Sequence, residues 1–181
     1  MTRQTKAIYR LTAVAMCVAI ITLCAWISIP FSVAVTMQSF AIFLIAGLFP
    51  IYISLPASIL YIFLGAIGVP VFAGFNAGAG VFIGASGGFL MSFPIVVLLL
   101  SMLRKHYSTN NAIYLILMIL GLLMCYVCGL LWYKFMFQPN MSLQAAFTVC
   151  ILPFIIPDVI KILLVTIVFK KLYPYTKKLP I

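Results

Sequence analysis

Ninety-three consecutive residues, Leu11 to Leu103, contain no Lys, Arg, Asp, Glu or His. A soluble domain must cover its surface with polar groups, and a chain that is 66% hydrophobic and only 7% charged cannot do so. Lipid is therefore the expected solvent. At roughly 20 residues per crossing plus short turns, the uncharged run has room for about four helices. Arg10 and Arg104 flank it, and basic flanks favour the cytoplasm, so the number of crossings between them is expected to be even.

Beyond the basic cluster Arg104, Lys105 and His106, an apolar stretch from Ala112 to Tyr133 is long enough for a fifth crossing. A polar break at Gln138, Pro139 and Asn140 precedes a last apolar segment reaching Phe169, ahead of Lys170, Lys171, Lys177 and Lys178. In this topology nine of the eleven Lys and Arg residues fall on one side. Only Lys134 faces outward, and Lys161 lies within the membrane. The pattern predicts an all-α integral membrane bundle of six transmembrane helices, a single domain over residues 1–181 with both termini cytoplasmic. The net charge of +10 then reads as topology and attraction to lipid. Nucleic-acid binding is not expected, because no basic patch is interleaved with aromatic residues.

Expected boundaries are Tyr9 to Ser28 for helix one, Thr36 to Phe49 for helix two with Thr36 as its cap, Tyr52 to Gly68 for helix three and Gly87 to Arg104 for helix four. The basic N-terminus leads directly into a full-length span, so no cleavable signal peptide is expected. The five cysteines lie in apolar segments; Cys125 and Cys128 form a CxxC, but without further ligands they read as small buried residues, and no metal is expected. His106 reads as part of a solvated basic helix end.

Eight of the eleven glycines lie between Gly65 and Gly88. Such density marks backbone in conformations that a Cβ disfavours, or backbone in close approach to another surface. At membrane depth non-helical backbone is tolerated only where protein or a water-filled cavity surrounds it, so Val69 to Ser86 reads as an external loop between helices three and four that folds over a pocket. The alternative is tight helix packing, since Gly74 to Gly78 and Gly84 to Gly88 both fit a small-xxx-small pattern. No Walker lysine or preceding strand supports a nucleotide site.

Asp158 is the only acidic residue of the chain, three positions before Lys161 in a stretch of Ile, Leu, Val, Phe and Pro. An ionisable residue inside a bilayer segment marks a transport path, a ligand or a required internal pair. Twelve residues separate Asp158 from Lys170, which at 1.5 Å per residue places it about 18 Å above the cytoplasmic edge, in the outer half of the bilayer. Pro153 and Pro157 suggest a helix start or kink beside it. The Gly-rich loop, Thr36 to Gln38 and this segment therefore converge on an outward-facing pocket.

The strings VTMQSF, GAIGVPVFAGF, GASGGF and LPFIIPDVIK, in this order, resemble the biotin-transport (BioY) family, the substrate-binding subunits of energy-coupling factor transporters. The likeness runs from helix two to helix six. The family usually reads GPTGGY where Gly84 to Phe89 stand here, and has glycine where Pro157 stands. The resemblance implies capture of biotin from outside at the plasma membrane of a bacterium, with no cofactor beyond that ligand. It further implies docking on a transmembrane coupling protein (the T component) that works with two cytoplasmic ATPases. It also implies that Ala15 and Ala19 on helix one, an AxxxA pattern, pack against the coupling protein; ordinary packing within the chain is the alternative.

Biotin carries two ureido N–H donors, a carbonyl, an apolar ring face and a carboxylate on a flexible chain. A carboxylate only accepts hydrogen bonds and an ammonium only donates them. Asp158 is therefore expected to hold the ureido ring, with Lys161 balancing its charge and able to reach toward the ligand's carboxylate along its stem. Asn76, Gln38 and Ser86 are further polar candidates, and Phe72 and Phe75 are expected to cover the apolar face. The competing readings are a substrate subunit for another small vitamin, and a membrane assembly subunit whose Asp–Lys pair only locks helices together. An enzyme is disfavoured, because no nucleophile, base and orienting group come together.

Overall fold

The computed structural model describes residues 2–30, 33–103, 111–177 and 179. Arg104, Lys105, His106 and Lys178 lie outside the described residues, so the expectations for them go no further here. The first helix, α1, spans Arg3–Trp26, its N-terminus closed by the Thr2 hydroxyl, which accepts from the Thr5 amide at 3.3 Å. That cap, with Arg and Lys as good helix formers, starts the helix six residues earlier than Tyr9 and takes the basic residues into it.

Two short strands flank the connection after α1. Ser28–Ile29 (β1) pairs antiparallel with Val35–Thr36 (β2). Thr36 is thereby a strand residue and Met37 takes the cap position of α2 (Gln38–Leu48), although the Thr36 hydroxyl still accepts from the Gln38 amide at 3.2 Å. Helix α2 is buried on all sides from Ala41 to Leu48, as a helix apolar all round must be. It packs against α1, α3 (Ile51–Ala66), α5 (Gly87–Met102) and α8 (Ile155–Thr176) and forms the centre of the bundle.

Between α3 and α5 the Gly-rich segment forms a single 3-10 turn, Ala73–Phe75, and a one-turn helix α4, Gly80–Ile83. Gly74 and Gly78 have φ of 65° and 92°, so this pair is turn backbone and not a helix-packing pair. Gly88 behaves differently: a Cβ there would press on the Cys128 carbonyl and the Trp132 side chain of α6 (Asn111–Trp132), so the glycine permits close helix contact. The glycines thus serve turn backbone at Gly74 and Gly78 and close helix contact at Gly88.

Helix α6 runs on into a π-helical turn, Tyr133–Phe137. The last apolar segment is broken rather than continuous. Helix α7, Leu143–Cys150, ends at Ile151 (φ −122°, ψ −50°), and a 3-10 turn Leu152–Phe154 containing Pro153 leads into α8. Pro157 lies in the first turn of α8, where its missing N–H leaves no helical bond unmade.

Three described segments are long and apolar enough to cross a membrane: Arg3–Trp26, Ala112–Phe137 and Leu143–Thr176. Helices α2, α3 and α5 are equally apolar but only 11, 16 and 16 residues long. The outer surface is greasy throughout, with Leu11 70%, Ile156 74% and Ile116 55% exposed. On α8 the usual amphipathic arrangement is inverted: Ile156, Val159, Ile160 and Leu163 face outward while Asp158 and Lys161 are buried. An apolar exterior around a polar interior suits lipid as solvent, so the chain is a multi-pass membrane protein.

Candidate functional site

A cavity of about 800 Å³, its open mouth included, lies between α2, α5, α6, α8 and the Gly-rich segment. Aromatic side chains form much of the wall, among them Phe72, Phe89, Phe93 and Phe154. Phe89 and Phe154 stack at 6.0 Å, and Phe72 stands edge-on to both Tyr61 and Phe82.

One wall carries the ionic group. Asp158 and Lys161, one helical turn apart on α8, are 4% and 5% exposed and form an ion pair of 2.7 Å between Oδ1 and Nζ. Two other helices complete it. Tyr126 of α6 donates its hydroxyl to Asp158 Oδ2 at 2.7 Å, and Ser39 of α2 stands between the pair, accepting from Lys161 Nζ at 3.3 Å and lying 3.4 Å from Asp158 Oδ1. A buried pair survives desolvation only when such additional hydrogen bonds satisfy its remaining lone pairs and protons. No buried side-chain N or O among the described residues lacks a partner.

A second polar chain holds Gln38. Its Oε1 accepts from the Thr36 hydroxyl at 2.9 Å, and its Nε2 donates to the Tyr61 hydroxyl, which donates in turn to the Val71 carbonyl at 3.1 Å. The amide of Gln38 is thus fixed by Thr36 of the hairpin on one side and by Tyr61 of α3 on the other, with one N–H beyond the Tyr61 bond.

The structure brings Asp158, Lys161, Gln38, Asn76, Ser86 and Phe72 to the cavity wall. It does not bring Phe75 there. Phe75 has φ 60° directly after left-handed Gly74, which turns its ring outward to stack on Trp26 at 4.7 Å, 62% exposed. Trp26 also donates its indole N–H to the Pro70 carbonyl at 3.0 Å, so Phe75 serves to hold the loop to α1. Asn76 is exposed at the mouth and donates to the Ala73 carbonyl at 2.7 Å. Ala15 and Ala19 are exposed, on a face of α1 away from its buried residues Ala13, Cys17, Val18 and Ile21.

Sequence reasoning missed the wall aromatics Phe89 and Phe154 and, among polar residues, Tyr126, Ser39 and Tyr61. Of these, the polar three are the most telling. Each is an ordinary polar residue in an apolar helix, and its significance lies in partners 32, 119 and 23 positions away. Cys125 lines the cavity and accepts from the Ser92 hydroxyl at 3.3 Å, while all five cysteines are free thiols. No cluster of metal-ligating side chains occurs among the described residues.

Comparison with known proteins supports a definite relationship. Residues 1–178 match the BioY family. The biotin transporter BioY2 of Lactococcus lactis subsp. cremoris is 37% identical over 169 residues, covering 91% of this chain and 90% of that protein. The biotin transporter BioY of Thermotoga maritima is 33% identical over 155 residues, 85% of this chain and 89% of its own. Among solved structures, the S-component for biotin from an ECF-type ABC transporter superimposes with a TM-score of 0.85 at 28% identity, covering 95% of this chain and 94% of that one. With nearly its whole length matched and its fold shared, the chain belongs to the BioY family.

Proposed function

We propose that this protein is the biotin-binding subunit of an energy-coupling factor transporter, taking biotin from outside the cell and releasing it inward through a coupling module. The observation that carries this reading is the position of the Asp158–Lys161 pair: it lines a cavity that opens to the outside of the bundle instead of being sealed among packed helices. Membership of the BioY family and the likeness to a biotin S-component supply the identity of the ligand.

In this reading Asp158 accepts from the ureido N–H groups, and Lys161 and Tyr126 hold its carboxylate in place. Phe72, with Phe89 and Phe154, covers the apolar ring face. Gln38 and Ser86 supply further hydrogen bonds, and Asn76 stands at the mouth. The whole chain acts as one substrate-binding domain. It crosses the cell membrane six times, the three shorter apolar helices included, with both termini in the cytoplasm, as the distribution of Lys and Arg supports. The exposed Ala15 and Ala19 form a shallow strip against which a transmembrane coupling protein packs, and ATP hydrolysis belongs to two separate ATPases.

The test is ligand-dependent stabilisation of the purified protein. A ligand that binds only the folded state raises apparent stability by about 2.7 kcal/mol at a hundredfold excess over Kd. Biotin is expected to raise the melting temperature in detergent, and other water-soluble vitamins are not. A protein that melts identically with and without biotin is instead a membrane assembly subunit whose ion pair only joins helices.

A further inference from the structure

We propose that the cavity recognises the ring end of biotin and leaves its carboxyl end without a counter-ion, so that a neutral, carboxyl-capped biotin is bound as well as the free acid. This rests on the biotin reading of the site and extends it to a substrate class.

The argument is one of charge. Among the described residues lining the cavity, Lys161 is the only cation and Asp158 the only anion, and they are bound to each other at 2.7 Å. The net charge of the wall is therefore zero. Two of the three ammonium N–H groups of Lys161 are committed, to Asp158 and to Ser39. A ligand carboxylate drawn to the third would come within a few ångströms of the Asp158 carboxylate. Two like charges at 4 Å repel by about 4 kcal/mol at an effective dielectric constant of 20.

No other cation among the described residues lines the cavity. Arg10 lies sixteen residues before Trp26, the end of α1 that touches the Gly-rich segment, or about 24 Å along the helix. Lys170 is nine residues beyond Lys161, about 13 Å along α8. Lys134 does not line the cavity; its ammonium donates to the Pro139 carbonyl at 2.5 Å. An unpaired carboxylate buried under these conditions is costly, whereas one at the mouth keeps its water. The polar group at the mouth is the neutral amide of Asn76, with one N–H committed to Ala73. An amide N–H donates to the carbonyl of a capped ligand as readily as to a carboxylate.

The test is calorimetric binding of biotin and of biotin amide, nearly isosteric with the acid but uncharged, to the purified full-length chain in detergent. The expected ratio of dissociation constants is within about fivefold, roughly 1 kcal/mol. A larger loss for the amide overturns the proposal and means that a cation grips the carboxylate. If that loss disappears in Lys134→Gln, the gripping cation is Lys134, and the proposal is equally overturned. Absence of binding by biotin itself fails the functional reading, and this inference with it, so the two failures are distinguishable.

Discussion

Asp158→Asn separates the ligand role of the ion pair from a purely structural one. The carboxylate accepts from Lys161 at 2.7 Å and from Tyr126 at 2.7 Å, with Ser39 more weakly placed at 3.4 Å. The amide retains one acceptor oxygen, removes the negative charge and presents N–H groups where donors already crowd. Leaving Lys161 buried without its counter-charge costs about 3–5 kcal/mol of stability. In the ligand reading the ureido group also loses a charged acceptor, worth about 1.5–3 kcal/mol, or roughly 10- to 150-fold in affinity. The informative comparison is the double variant Asp158→Asn with Lys161→Met. Removing both partners restores neutrality, and such replacements are often neutral in stability. We expect the double variant to recover much of the melting temperature, while its biotin affinity, measured by calorimetry in detergent, stays at least about tenfold weaker than that of the parent. Full affinity in Asp158→Asn, or its full return in the double variant, would refute the reasoning and leave the pair as a helix lock.

Tyr126→Phe removes one donor to Asp158 with almost no change of shape; biotin affinity is expected to fall about tenfold with the protein still folded, and calorimetry alongside a melting curve checks both. Gly65→Ala places a Cβ inside the Phe72 ring, and overpacking of this kind costs about 1–3 kcal/mol; the displaced ring should lower both melting temperature and affinity. Ala15→Leu with Ala19→Leu fills the exposed strip on α1; the isolated chain should bind biotin as before while uptake of labelled biotin by cells containing the coupling module is lost, and normal uptake would place the coupling surface elsewhere.

Much of the candidate site was legible because the chain's rarest residues line the cavity. In a chain with one carboxylate, Asp158 could hardly escape notice, and a spacing of three puts Lys161 beside it on any helix. The break before Asp158 was announced by Pro153 and Pro157, since proline lacks the N–H that a continuous helix requires. Phe75 shows where such reading stops. It differs from Phe72 by three positions and by nothing in composition, yet one ring lines the cavity and the other stacks on Trp26. A single left-handed turn decides between them.

Solvent and chemistry follow from residue types alone: an uncharged run of 93 residues demands lipid, and an anion with a neighbouring lysine demands an internal use. Both follow from transfer free energies, which depend on residue type and not on partners. Helix packing places α2 at the centre, brings Tyr126 and Ser39 to the ion pair and leaves Ala15 and Ala19 uncovered. Those outcomes depend on which helix faces meet, and hydrogen bonds between residues 32 or 119 positions apart leave no periodic trace in the chain.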